Sequence, residues 1–319
     1  MKKSLIFTLV VCLVSWAFAA LMYFGIGIHN TTDKPLLYTL CATFYMILPM
    51  LCAMTMQLIN GEKLGDTGLL KFKINWTWLV AWILPVLIVA VTIVVNSFMP
   101  DTELGFHLPQ IPNLEDFPEE QQEMMLKMSN PKFVILTTLI SGLIAGITIN
   151  AVFAFGEEYA WRNYLVNALK KKNFWIVCLF VGVVWGFWHF PLILMGHNYP
   201  VHRVGGVFMM VAMCLAMTPI EVYLVLKAKS VYPAAIFHGT INALAGANML
   251  FVSGGNDLLN GCQGLSGIIT MLVVTAIIFI IDKYFTEDNI MSKTVEETLN
   301  ICGKSAESAS QNNISVREN

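Results

Sequence analysis

Eight long apolar runs dominate the 319-residue sequence. They lie approximately at 4–26, 36–59, 77–99, 134–160, 174–195, 205–226, 231–251 and 265–284. A helix of about 20 apolar residues crosses a hydrocarbon layer of roughly 30 Å, so each run is long enough to span a bilayer. The composition agrees, since 56% of the residues are hydrophobic and only 13% are charged. The sequence therefore predicts an all-α polytopic membrane protein with about eight transmembrane helices.

Lysine and arginine are distributed unevenly among the connections between these runs. Such residues accumulate in cytoplasmic loops. If the N-terminus lies inside the cell, most lysines fall on the cytoplasmic side, and the outer loops hold only Lys34, Lys127, Lys132 and Arg203. We therefore expect a multi-pass protein of the cell membrane with both termini in the cytoplasm.

A few ionisable or amide side chains fall inside the apolar runs. At membrane depth such a group costs at least a few kcal/mol, so it usually faces the interior of a helix bundle or a wet cavity. Glu158 and Arg162 are four residues apart and can pair on one helix face, which leaves Glu157 without a local partner. The residues that we single out in or beside these runs are Glu157, Glu158, Arg162, His189, Glu221, His238 and Asn242.

The fourth and fifth runs are joined by a short basic turn at residues 170–173, so they must form an antiparallel hairpin. Glu157 lies about 14 residues before this turn and His189 about 17 after it, which places both roughly 20 to 26 Å from the turn. They can therefore face one another. The fifth run is long enough to span only if nearly all of it is embedded, and residues 157–169 of its partner must then be embedded too. We therefore expect the fourth helix to tilt or to break near Gly142 or Gly146.

The seventh run adds two more polar groups at an overlapping depth. His238 and Asn242 are four residues apart, so they share one helix face. Three helices would thus deliver Glu157, His189, His238 and Asn242 to one region, which is the pattern expected of a reactive site.

These residues form three ordered motifs. Glu157-Glu158-xxx-Arg162 reads as EExxxR, Trp185-xxx-His189 as FxxxH with tryptophan in place of phenylalanine, and His238-xxx-Asn242 as HxxxN. The set resembles the CPBP family of intramembrane endopeptidases, the CAAX protease and bacteriocin-processing group, also called the Abi family. The resemblance covers about residues 139–251. Position 185 keeps an aromatic ring, so we expect the replacement to be mild.

The resemblance implies hydrolysis of a peptide bond within the bilayer by glutamate-activated water. Glu157 is the expected base, because peptide hydrolysis needs a group that takes a proton from water. His189 is expected to hold the same water and to pass a proton to the leaving amine. His238 and Asn242 are expected to donate hydrogen bonds to the oxyanion.

Three further charged residues are expected to act indirectly. Glu158 and Arg162 would fix the helix and the rotamer of Glu157. Glu221 lies about 9 Å inside the cytoplasmic end of the sixth helix, and we expect its side chain to extend to the membrane surface. Its alternative role is to help polar substrate enter from the cytoplasm.

Other functions stay open. Glu157, His189 and His238 could instead bind a zinc ion with a fourth position for water, but that use of Glu157 removes the base, so we expect no cofactor. A proton- or cation-coupled transporter could place the same residues in the membrane. An inactive bacteriocin-immunity protein is the third alternative.

The chain divides into four expected parts. Residues 1–132 form a three-helix membrane region whose outer loop contains a short helix on the bilayer surface or over the outer helix ends, and 133–252 form the CPBP-like catalytic core. Residues 253–285 carry the last transmembrane helix, and 286–319 a disordered cytoplasmic tail. The expected partners are the lipid bilayer and a CAAX-like or bacteriocin-leader peptide or protein. No basic cluster suggests nucleic acid, and the motifs suggest a bacterial source.

Overall fold

The computed structural model describes residues 2–64, 67–107 and 118–299. Helices dominate this part of the chain, and the only strands in it are two of three residues each. In chain order the elements are α1 (Lys2–Ala20) with a π-helical turn (Leu21–Ile26), α2 (Pro35–Ile59), α3 (Trp76–Asn96), β1 (Thr102–Leu104), α4 (Glu119–Met128), α5 (Pro131–Ile147), α6 (Ile149–Glu158) with a π-helical segment (Tyr159–Leu165), α7 (Val166–Ala168), α8 (Phe174–Trp188), α9 (Phe190–Leu194), α10 (Arg203–Ala228), α11 (Tyr232–Leu244) with a 3-10 turn (Ala245–Leu250), β2 (Val252–Gly254), α12 (Leu265–Phe285) and a 3-10 turn (Ile290–Ser292).

All eight apolar runs are helical. Five helices in the described ranges are long and apolar enough to cross a membrane, namely α1 with its π-helical turn, α2, α3, α10 and α12. The bent pair of α5 and α6 makes a sixth if it counts as one span. The fifth and seventh runs give shorter helices, α8 with 15 residues and α11 with 13. The chain is thus an all-α polytopic membrane protein, as the sequence predicts.

The connections predicted to share the cytoplasmic side meet at one end of the bundle. The Lys3 ammonium pairs with the Glu62 carboxylate 2.5 Å away, which joins the start of α1 to the loop after α2. The amide of Phe174 donates to the carbonyl of Lys293 at 3.0 Å, which joins the turn before α8 to the chain after α12. This grouping agrees with the predicted loop pattern, and the direction of the bundle in the membrane stays a prediction.

The opposite end holds the connections predicted to lie outside. There β1 pairs antiparallel with β2, so the segment after α3 contacts the segment after α11. The imidazole of His202 lies 2.6 Å from the carboxylate of Asp257, which fastens the start of α10 to the same region.

The fourth span breaks where the sequence predicts. The helix stops at Thr148, two residues after Gly146, and its two parts are bent by 46°. Glycine is required here because α11 approaches closely. A Cβ on Gly146 would lie 2.5 Å from Oγ1 of Thr240, and one on Gly239 of α11 would lie 2.6 Å from the carbonyl oxygen of Gly146.

The outer loop contains the short helix that the sequence predicts, α4. Residues 108–117 of the same loop lie outside the described residues. Whether α4 rests on the bilayer surface stays a prediction.

The prediction that disorder begins at residue 286 is wrong for residues 286–299. Ile290, Met291 and Val295 are buried. The carboxylate of Asp282 at the end of α12 accepts a hydrogen bond from the amide of Met291 at 2.8 Å. These apolar side chains give a mostly polar segment enough buried surface to pack. Residues 300–319 of the predicted tail lie outside the described residues.

Candidate active site

The helical hairpin places two adjacent glutamates in the bundle interior. Glu157 and Glu158 are the last residues of α6 and are 2% and 0% exposed. The π-helical segment begins directly after them, so Arg162 sits on a widened turn. The second arm, α8, starts at residue 174, where the side chain of Asn173 accepts from the amide of Ile176 at 2.9 Å and caps the helix.

Glu157 is held by a tryptophan from the other arm of the hairpin. The indole Nε1 of Trp185 donates to Oε2 of Glu157 at 2.6 Å. The sequence finds no partner for Glu157 on its own helix, and the structure provides one from α8. Trp185 lies one turn before His189, so the hairpin brings the first two motifs together.

His189 follows the last residue of α8, just before the short helix α9. Its Nδ1 lies 2.9 Å from the carbonyl oxygen of Trp185. A carbonyl only accepts, so Nδ1 carries the proton and a neutral ring has its lone pair on Nε2. The side chain is half-buried, and Nε2 bonds to no described residue. This nitrogen is therefore available to water or substrate.

Glu158 belongs to a buried charged cluster centred on Arg162. Nη1 of Arg162 donates to Oε1 of Glu158 at 3.1 Å, and Nη2 donates to Oε2 of Glu221 and to Oγ1 of Thr218. Nδ1 of His238 lies 2.9 Å from the same oxygen of Glu158. Removing one member would leave a charge buried and under-compensated, so the cluster locks α6, α10 and α11 together.

The structure corrects the expected position of Glu221. The prediction that its side chain extends to the membrane surface is wrong, because Glu221 is fully buried and pairs with Arg162. The guanidinium compensates the carboxylate inside the bundle, so the side chain need not reach water. A role in admitting substrate stays a prediction.

Trp185 contacts a member of every motif. The Cζ atom of Arg162 lies 4.0 Å from the centroid of the indole ring, within the range of a cation–π interaction. The ring of His238 meets the indole at a centroid distance of 5.3 Å and an angle of 69°. With the bonds to Glu157 and His189, this residue joins the three motifs.

Asn242 stands apart from this connected set. It lies on α11 one turn after His238, and its side chain is exposed. Among the described residues, none hydrogen-bonds its amide. The structure thus unites Glu157, Glu158, Arg162, His189, Glu221 and His238 through direct contacts, and leaves Asn242 at an open face.

The residues that could hold a metal ion differ from the expected set. In the described part of the chain, the ligand atoms of Glu158, Glu221 and His238 lie within 4.8 Å of one another. The zinc alternative instead used Glu157 and His189 with His238. Arg162 already binds both carboxylates of the observed set, so its guanidinium supplies the positive charge that a metal would bring. This donor set therefore fits an ion-pair cluster better than a metal site.

Sequence reasoning missed Trp185 as a functional residue because the motif suggested only an aromatic ring. A buried tryptophan usually finds an acceptor for its N–H. Glu157 lacks a partner on its own helix. The indole N–H of Trp185 and the carboxylate of Glu157 both need a partner, and this shared need could have predicted their hydrogen bond.

Comparison with known proteins bears on the segment that holds this site. Residues 132–244 match the family described as "Rce1-like: Type II CAAX prenyl endopeptidase Rce1-like". This segment is similar to an Rce1-like core. This core runs from α5 to the end of α11 and contains all seven site residues, so the resemblance to the CPBP family is confirmed.

A curated relative agrees with this match. Over 92 residues the chain is 29% identical to "CAAX prenyl protease 2" of Methanococcus maripaludis. The alignment covers 27% of this chain and 34% of the relative, so the chain matches about a third of the relative's length.

Proposed function

We propose that the chain is an intramembrane endopeptidase in which Glu157 activates water to hydrolyse a peptide bond of a membrane-associated substrate. The Rce1-like core supports a peptidase. The observation that carries the assignment of the base is the different environment of two adjacent carboxylates. Glu158 is bound by Arg162 and His238, whereas Glu157 is held by a single neutral donor, Trp185.

This difference separates the two carboxylates into two roles. Oε1 of Glu158 already accepts from both Arg162 and His238, so this carboxylate has fewer lone pairs free to take a proton. Glu157 keeps lone pairs free beyond its one hydrogen bond. Pairs of titratable groups in unlike environments are typical of acid–base sites.

The proposed reaction needs one proton to move from water to the leaving amine. Glu157 takes the proton as the water oxygen adds to the carbonyl carbon. The C–N bond then breaks, and the proton passes to the amine nitrogen from Glu157 or through Nε2 of His189. Asn242 and His238 would donate to the oxyanion in between.

The proposed substrate is a peptide that reaches the bilayer through a lipid group or an apolar segment. The relative's name, a CAAX prenyl protease, supports a prenylated peptide as the first substrate to test. A bacteriocin-leader peptide is the second. The lysine distribution supports cytoplasmic termini, and the motifs support a bacterial source.

The deciding experiment uses the purified 319-residue chain in detergent with three peptides. These are a peptide with a farnesylated CAAX end, the same peptide without the lipid, and a bacteriocin-leader peptide. We expect Glu157→Gln to lower cleavage by about two to four orders of magnitude, because it keeps the shape and removes the proton acceptor. Glu103→Gln, at an exposed position of β1, should cleave like the unaltered chain.

Four results would point elsewhere. Full cleavage by Glu157→Gln would remove Glu157 as the base. Cleavage lost on chelation, with near-stoichiometric zinc in the preparation, would replace water activation by glutamate with metal catalysis. Cation uptake into liposomes that depends on Glu157, without cleavage of any peptide, would favour a transporter. Absence of both activities would favour an immunity protein.

A further inference from the structure

We propose that Trp185 is a positioning residue that fixes the carboxylate of Glu157 and connects it to the buried Arg162. The inference rests on the proposed function, since it assigns a role to Trp185 in that reaction. It begins from a departure in the second motif, where this chain has an indole and the family pattern has a phenyl ring.

The indole makes two different contacts with the first motif at once. Its edge donates to Oε2 of Glu157 at 2.6 Å, and its face lies 4.0 Å from the guanidinium carbon of Arg162. Trp185 is 1% exposed and Glu157 is 2% exposed, so water competes little with either contact. A hydrogen bond to an ionised acceptor is strong when the site is dry.

In the described part of the chain, no hydrogen bond joins Arg162 to Glu157. Its Nη1 binds Glu158, and its Nη2 binds Glu221 and Thr218. The indole ring of Trp185 lies against the guanidinium with its face and against Glu157 with its N–H. A cation over the face of an indole draws on its π electrons, which makes the ring N–H a stronger donor.

Trp185 also contacts the histidine of the second motif, through its backbone. Its carbonyl oxygen accepts from Nδ1 of His189 at 2.9 Å. The same residue thus sets the rotamer of the proposed base with its side chain and the tautomer of His189 with its backbone. A phenylalanine at this position would keep the backbone bond and lose the bond to Glu157.

Other titratable groups also surround Glu157 and affect the balance between its ionised and protonated forms. They come from every neighbouring element and are Glu158 and Arg162 on the same arm, His238 on α11, Tyr45 on α2 and Cys214 on α10. A variant at position 185 leaves all of them in place. The hydrogen bond to Glu157 is the side-chain hydrogen bond that Trp185→Phe removes.

The first test does not depend on cleavage. The chain labelled with ¹⁵N in its tryptophan rings is observed by NMR in detergent, and the indole signal of Trp185 is identified by its loss in Trp185→Phe. We expect this N–H signal to lie downfield, to change with pH, and to move upfield and lose its pH dependence in Glu157→Gln. Trp82 serves as reference, because its indole donates to the carbonyl of Leu143 at 2.9 Å.

The proposal would be overturned if the chemical shift of the Trp185 indole N–H changed neither with pH nor in Glu157→Gln. The NMR test can be read even if the unaltered chain cleaves no peptide. Such a lack of cleavage would contradict the proposed function and would leave the hydrogen bond between Trp185 and Glu157 to be judged by NMR. If Trp185→Phe yields no folded protein, the signal is identified instead by elimination, after Trp→Phe variants have assigned the signals of the other seven tryptophans.

The second test is the pH dependence of cleavage. The hydrogen bond favours ionised Glu157, so Trp185→Phe should move the acidic limb of the kcat/KM profile upward by about one pH unit. Trp175→Phe, at an exposed position of the same helix, should leave the profile unchanged. An unchanged acidic limb in an active Trp185→Phe enzyme would show that the indole N–H does not act on the base.

Discussion

Nδ1 of His238 lies 2.9 Å from Oε1 of Glu158, the oxygen that also accepts from Arg162. An ionised carboxylate only accepts, so Nδ1 of His238 carries a proton. A neutral ring in this tautomer has no proton on Nε2. His238 can therefore donate to an oxyanion through Nε2 only as an imidazolium, with Glu158 as its counter-ion.

Two amide replacements of His238 can distinguish its two possible roles. One role is a hydrogen bond to the substrate oxyanion, and the other is the hydrogen bond to Glu158. Asparagine places its amide nitrogen near the position of Nδ1, and glutamine places it near Nε2. If His238 is an oxyanion donor, His238→Asn should lower kcat by about 10²–10³, and His238→Gln should lose at least about tenfold less. Equal losses in the two variants, measured on the same peptide, would contradict the donor role.

The two acids beside Arg162 should affect stability alike and activity differently. Glu158→Gln and Glu221→Gln each remove the carboxylate charge from a hydrogen bond with Arg162, so each should cost about 1.5–3 kcal/mol of unfolding free energy. The double variant leaves Arg162 buried without a carboxylate and should lose more than the sum. Thermal unfolding in detergent measures both.

Cleavage rates then distinguish these acids. Glu158→Gln should also slow cleavage, because His238 loses its acceptor. If Glu221→Gln cleaves normally at every substrate concentration, Glu221 does not admit substrate. The predicted role at the entrance should then be dropped.

Asn242 should matter for rate and not for folding. Its side chain is exposed and bonds to no described residue, so Asn242→Ala should leave the unfolding temperature within about one degree of the original. If the amide donates to the oxyanion, kcat should fall by about 10²–10³. A normal rate would leave His238 as the remaining expected oxyanion donor.

The end of the bundle that holds β1 and β2 should lose stability in acid through Asp257. Burial alone would raise the pKa of this carboxyl, but hydrogen bonds from His202 and from the amides of Val201 and His202 offset it and hold the pKa below its usual value. Because the pKa of Asp257 is lower in the folded state, the stabilisation by its ionised carboxylate is complete above the unfolded-state pKa of about 3.9. This stabilisation disappears as the pH falls through the folded-state pKa.

Asp257→Asn should therefore unfold at a lower temperature than the original chain near pH 6. The difference should shrink as the pH falls below about 4. Calorimetry or scanning fluorimetry across this range measures it, with Glu103→Gln as an exposed carboxylate control. A difference that stays constant with pH would mean that the charge of Asp257 does not contribute.

The sequence predicts the positions along each helix well and the contacts between distant helices poorly. Helix rise is constant, so the turn at 170–173 sufficed to estimate the depth of Glu157 and His189. The break near Gly146 followed from the excess length of the fourth helix once residues 157–169 are embedded. The pairing of Arg162 with Glu221 was missed, because no local pattern links two residues 59 positions apart.

Two further features depend on packing in the same way. Periodicity puts Asn242 on the same face as His238, but its exposure depends on which helices pack beside that face. The polar composition after residue 286 suggested disorder, yet a few apolar residues, Ile290, Met291 and Val295, find buried positions between helices already in place. Composition averages over a segment, whereas packing depends on single side chains.

The contact between the hairpin turn and the chain after α12 also constrains the order of biosynthesis. Asn173 pairs with Thr294, and Phe174 with Lys293, across more than a hundred residues of sequence. A nascent chain cannot make these contacts until its last apolar helix has left the ribosome and entered the bilayer. The hairpin that carries Glu157 and His189 therefore completes its packing only after insertion of α12.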